Sequence, residues 1–211
     1  EIAFISDRDG ADNIWVMEAD GRDARKVSSE REHNLHNPYW TPDGKWIAAR
    51  KGYVSGRSIP AGSIWMYHAG GSDGLMLVDR LHKESSQKNI AEPAFSPDGR
   101  YLYYTQDIST GTEWLYNKNA VGSVHAIKRL DREKSETETF ISGPGGAIRA
   151  IPSPDGTQLA FIKRLPNMNS ALYVKDLASG NERVVFEQLD RDNQETTGTH
   201  GNYPAYAWTP D

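Results

Sequence analysis

The chain has 211 residues, and its 24 Lys+Arg against 29 Asp+Glu leave a net charge of −5. That balance argues against a nucleic-acid or anionic-membrane binder, for which a basic face supplies the affinity. Cys is absent, which excludes disulfides, thiol catalysis and cysteine-ligated metal, and no apolar run approaches the roughly 20 residues that cross a bilayer.

The first element is "EIAFIS" (1–6), apolar and β-branched, followed by "NIWVME" (13–18) and the short "ARKVS" (24–28), with a tight "ADG" turn before the last. Next come "PYWT" (38–41) and "KWIAAR" (45–50), joined by a Pro-Asp-Gly turn, then "SIWMYH" (63–68), "GGSDG" and "LMLVD" (75–79). The order returns with "PAFS" (93–96), "YLYYTQD" (101–107), "SVHAIKRLD" (123–131) and "TETFIS" (137–142). It returns again with "AIPS" (150–153), "QLAF" (158–161), "ALYVKDL" (171–177), "ASGN" and "ERVVFE" (182–187). "AWTPD" (207–211) then begins the pattern once more. Helical periodicity is not apparent anywhere in this succession.

The turn prolines Pro42, Pro97, Pro154 and Pro210 recur at intervals of 55, 57 and 56 residues. In each turn Ser or Thr opens, Pro presets φ, Asp bonds its own backbone and Gly takes the conformation that other residues resist. Four short strands per unit, labelled A to D, at a fixed period are the signature of a β-propeller. The expectation is an all-β fold: a β-propeller of about four blades, each of four antiparallel strands, with every Pro-Asp-Gly turn on one face. The units run at about 1–41, 42–96, 97–153 and 154–209. The chain starts on a B strand and stops inside a turn, so the expectation is an excerpt of a larger propeller. Such an excerpt is an open arc in which Ala205–Thr209 does not pair with Glu1–Ser6.

Chemistry of its own is not evident. There is no His-x-His, Gly-x-Ser-x-Gly or His-Glu-x-x-His, and His33 and His36 of "HNLH" have the wrong spacing for the first of these. "GPGG" (143–146) reads as an inter-blade turn and not as a phosphate cradle, since no helix follows to supply a dipole. The segment is therefore expected to be non-catalytic, without a metal site or cofactor.

Binding is sought on the face with long connections. In an A–B–C–D meander the B–C and D–A links share that face, here Lys51–Gly62, Asp107–Gly122, Ser29–Asn37, Arg80–Ala91 and Gln188–Tyr203. Two segments there supply the candidate binding residues. One carries Arg50, Lys51, Tyr53 and Arg57; the other carries Asp190, Arg191, Asp192, Gln194, Glu195 and His200. Two readings stand side by side: inter-blade ion pairs and surface charge, or residues lining a funnel toward a substrate or a partner domain. The aromatics Trp15, Trp40, Trp46, Trp65, Phe95, Tyr101, Tyr103, Phe161 and Trp208 fall at strand positions and read as inter-blade packing.

"FISDRDGADNIWVMEADGRDARKVS" with "PYWTPDGKWIAA" resembles the WD-like Pro-Asp-Gly repeat of TolB-type propellers over essentially the whole chain. The longer stretches "ETETFISGPGGAIRAIPSPDG" and "LDRDNQET…HGNYPAYAWTPD" are similar to the propeller upstream of the catalytic barrel in large exported bacterial amidohydrolases. The resemblance implies a non-catalytic propeller module of a secreted or periplasmic amidohydrolase-family protein, docking against or gating its catalytic domain. The alternative is a TolB-type periplasmic scaffold without enzyme activity. Hydrolysis, with zinc or another divalent metal, would then belong to a domain of the parent outside this segment. The implied partner is that catalytic domain or a separate protein, with no nucleic acid and no membrane insertion.

Overall fold

The computed structural model describes residues 1–54, 60–80, 87–112, 124–167, 169–189 and 206–209. Within them the chain folds into four antiparallel sheets, each a meander in which neighbours in sequence are neighbours in space. The first sheet has three strands, β1 (Ile2–Ser6), β2 (Asn13–Met17) and β3 (Arg25–Lys26). The second holds β4 (Asn34–Trp40), β5 (Trp46–Val54), β6 (Pro60–His68) and β7 (Leu75–Val78). The third holds β8 (Ile90–Phe95), β9 (Tyr101–Asp107), β10 (His125–Asp131) and β11 (Glu136–Ile141). The fourth holds β12 (Ile148–Pro152), β13 (Gln158–Arg164), β14 (Ser170–Asp176) and β15 (Glu182–Phe186). Three sheets thus have the expected four strands. The first lacks a strand of type A, because the chain enters on type B.

Side chains alternate across a strand, and the middle sheets have a neighbour on each face, so their strands are apolar on both sides. In β5, Ile47 and Ala49 join the core between the first and second sheets, while Ala48 joins the next core. In β9, Leu102 and Tyr104 face the second sheet and Tyr103 faces the fourth. Trp40, Trp65, Trp46, Phe95, Tyr101, Tyr103 and Phe161 all pack in these three cores, as inter-blade packing requires. The cores join consecutive sheets. Consecutive sheets stack in an arc; among the described residues no core joins the fourth sheet to the first, and no ladder pairs 206–209 with β1.

The A–B turn is the same object three times. At the first, Thr41 Oγ1 donates to Asp43 Oδ1 (2.6 Å) and accepts from the Trp46 amide (3.0 Å). The Lys45 amide donates to the same Asp43 oxygen (3.1 Å), and Gly44 takes a φ of 65°. Ser96, Asp98 and Gly99 repeat the arrangement, and Ser153, Asp155 and Gly156 repeat it again. These bonds to hydroxyl and backbone N–H hold all three carboxyls below their usual range. The turns also meet. Pro42 lies beside Gly99 and Pro97 beside Gly156, which places the three on one face as the period predicts.

Strand ends differ from the sequence-based expectation. β4 begins at Asn34, so His36 and Asn37 belong to a strand and not to the long D–A link. The link expected over Lys51–Gly62 is also largely strand, since β5 and β6 stay paired through Gly52↔Gly62 and Tyr53↔Ala61 out to Val54↔Pro60. Gly62 lies so close to Ile90 O, 2.3 Å from where a Cβ would stand, that only Gly fits.

Candidate functional site

Arg50, Lys51 and Tyr53 are residues of β5, and strand alternation separates the first two. Arg50, 5% exposed, points toward the third sheet, where its Nε donates to Asn89 Oδ1 (2.9 Å); burial lowers its pKa to about 10. Lys51 points toward the first sheet and donates to Glu30 Oε1 at 2.7 Å, beneath the Trp65 ring. The same Glu30 oxygen accepts from Tyr67 OH (2.8 Å), and Asn13 holds the Glu30 backbone at both its N–H and its C=O. Burial, and then Glu30, push the Tyr67 phenol upward. Tyr53 stacks edge-on with His33 and lies under Arg80. Arg50 and Lys51 therefore tie β5 to two different sheets. Arg57, Asp190, Arg191, Asp192, Gln194, Glu195 and His200 lie outside the described residues. Among the described residues no three His, Cys, Asp or Glu side chains converge as metal ligands. "GPGG" is a turn between β11 and β12, with Gly146 N bonded to Gly143 O and Gly145 O accepting from the Arg164 amide.

A different group of residues does converge. The innermost strands β4, β8 and β12 each carry a bulge at the same place in the repeat, four residues before the turn Ser or Thr. The bulge residues are Asn37, Glu92 and Arg149, with φ of 53°, 58° and 58°. Left-handed backbone costs a non-glycine residue about 1 kcal/mol or more, and such strain gathers where function needs it. All three line one cleft of about 190 Å³ along the axis of the arc. Its other walls are Pro38 and Tyr39, Pro93 and Ala94, Ala150 and Ile151, and Tyr206.

The charges in the cleft answer each other. Arg149 Nε donates to Glu92 Oε1 (3.0 Å), while Glu92 Oε2 accepts from the Arg149 amide (3.0 Å) and from Thr105 Oγ1 (2.7 Å). The Glu92 side chain is 17% exposed, and burial pushes its carboxyl above the ordinary range against the pull of Thr105 and Arg149. Tyr206 OH donates to Arg149 O, and Trp208 Nε1 donates to Ile151 O at 2.9 Å. The segment 206–209 thus lies against the free edge of β12. Asn37 is the exception. It is exposed, and among the described residues its carboxamide makes no hydrogen bond.

Sequence reasoning named none of these three bulge residues as a binding candidate, although Asn37 ends one of the long connections it singled out. A signal was present: the turn residues repeat, while the residue four places earlier changes from Asn37 to Glu92 to Arg149.

Comparison with solved structures uses this architecture. TolB from Acinetobacter baumannii superposes with a TM-score of 0.63 at 17% identity, covering 90% of this chain and 42% of that one. A putative TolB from Agrobacterium tumefaciens gives 0.61 at 19%, over 88% of this chain and 60% of that one. The fold is a TolB-like β-propeller. A prolyl endopeptidase also matches, with a TM-score of 0.57 at 14% identity, over 87% of this chain and 26% of that one. At these identities the likeness carries the fold alone. No family model matches the chain. In sequence, the chain is 28% identical over 134 residues to "Uncharacterized peptidase YuxL" of Bacillus subtilis, covering 51% of this chain and 20% of the relative. It is also 28% identical over 134 residues to "Tol-Pal system protein TolB" of Desulfosudis oleivorans, covering 62% of this chain and 26% of the relative. The chain spans about a fifth to a quarter of the length of these relatives.

Proposed function

We propose that this chain is a protein-docking propeller module, and that the partner surface centres on the axial cleft between β4, β8 and β12. The observation that carries the reading is the repeated left-handed bulge, which presents three different side chains to one cleft on an otherwise repetitive scaffold. The partner is the catalytic domain of the same parent hydrolase, which the module docks against or gates. The long stretches that resemble exported amidohydrolase propellers support this reading, and so does the peptidase relative. Hydrolysis, and any divalent metal it uses, then belongs to that domain, in a periplasmic or secreted protein. The TolB relative and the two TolB structures favour a second reading, a separate protein partner on the same cleft.

The test is photo-crosslinking in the full-length parent protein, with a benzoylphenylalanine replacing Tyr39 in the cleft or Lys45 on the turn face. Crosslinked peptides from the catalytic domain at Tyr39, and none at Lys45, are expected. Crosslinks to a separate protein at Tyr39 select the second reading. Crosslinks from Lys45 alone overturn both.

A further inference from the structure

We infer that the axial cleft receives a single neutral, apolar side chain, of about leucine to phenylalanine size, on an extended segment of the partner whose backbone amide is read by Asn37. This inference rests on the docking reading and adds the chemistry of what docks.

Size comes first. At about 190 Å³ the cleft is smaller than the roughly 300–1,000 Å³ of sites that enclose drug-sized ligands, and it suits one side chain. Its walls are apolar: Pro38 and Pro93 face it with Ala94, Ala150 and Ile151. Burying such a wall under a matching apolar group is favourable.

Charge decides the class. The two ionic groups in the cleft, Glu92 and Arg149, are already bonded to each other, with further bonds from Thr105 and the Arg149 amide. A ligand charge would enter a partly dry space whose countercharge is spent, at the cost of its own desolvation. A neutral occupant meets no such penalty. Electrical complementarity here means no charge at all.

Asn37 supplies the directional part. A primary carboxamide offers one acceptor and a donor group side by side, the complement of a peptide unit's N–H and C=O. Asn is among the few residues that tolerate the left-handed backbone, so it holds φ of 53° at the bulge while its amide remains exposed at the cleft. At the equivalent place Glu92 uses its side chain to bond the next inner strand, at Arg149. Asn37 makes no such bond among the described residues, and a partner's extended backbone takes that role.

The experiment uses small surrogates of one residue with its two flanking peptide bonds: the N-acetyl amides of leucine, phenylalanine, lysine and aspartate. Each is titrated into the isotope-labelled 211-residue chain and followed by the amide resonances of Asn37 and its cleft neighbours. Leucine and phenylalanine amides are expected to bind, with the lysine and aspartate amides at least about tenfold weaker. Asn37→Gly, which keeps the left-handed backbone and removes the carboxamide, is expected to weaken the apolar amides about five- to tenfold without lowering the melting temperature. Equal binding of a charged amide overturns the inference, as does unchanged affinity in Asn37→Gly. Absence of all binding also overturns it, and leaves the docking reading standing if Tyr39 still crosslinks to the partner.

Discussion

The two halves of each inner strand obey different rules. At the end of the strand the turn repeats in backbone and side chain alike: Thr41 with Asp43, Ser96 with Asp98, Ser153 with Asp155, each closed by the same hydroxyl-to-carboxylate bond. At the bulge the backbone repeats, with φ between 53° and 58°, but the side chains are an amide, a carboxylate and a guanidinium. A turn that is kept in full serves the fold, because each of its groups satisfies another within five residues. A backbone kept with changing side chains holds different chemistry at equal positions around an axis, which is what a recognition site on a repeat scaffold needs.

Substitutions can break that comparison, and Gly145→Ala gives the largest expected effect. Gly145 leads into β12 with φ of 84°, and an added Cβ would stand 2.0 Å from Arg164 O. A loss of about 3 kcal/mol or more in urea denaturation is expected, from left-handed strain and overpacking together. Arg149→Ala comes next, with a loss of about 2–3 kcal/mol, because it strips Glu92 of its charged partner. A wild-type midpoint in that variant would show that the cleft pair is idle in the fold. Ser96→Ala should cost about 1–2 kcal/mol, since one hydroxyl both donates to Asp98 and accepts from the Tyr101 amide.

The smallest effect is in pH dependence, where the two halves have opposite sign. Folding raises the Glu92 carboxyl above its ordinary 4.5, so the native state binds that proton more tightly than the unfolded chain does. Its contribution to stability is therefore present at low pH and lost as pH climbs from about 4.5 toward the folded value. Asp43, Asp98 and Asp155 are lowered below 3.8, so theirs is present above that pH and lost as pH falls below it. Glu92→Gln should flatten the decline of stability above about pH 4.5 and leave the acid limb unchanged, read from denaturation midpoints between pH 3 and 7. Asp98→Asn should weaken only the acid limb.

What was legible in the sequence was local. The period of 55 to 57 residues, the Pro-Asp-Gly turns on one face and the apolar runs of β5, β9 and β13 rest on bonds and alternation within a few residues of each other. Strand ends were not local. Gly52 and Tyr53 look like loop until Gly62 and Ala61 pair with them, and that pairing depends on a close approach to Ile90 across the next sheet. The destination of a side chain depends in the same way on which sheet lies on which face, so only the packed arc sends Arg50 to Asn89 and its neighbour Lys51 to Glu30. The cleft is the extreme case. Asn37, Glu92 and Arg149 stand a full repeat apart in sequence, and each is an ordinary polar residue before a turn. They become one site only because stacking of the sheets brings their inner strands side by side, and because the bulge turns each of them toward the axis.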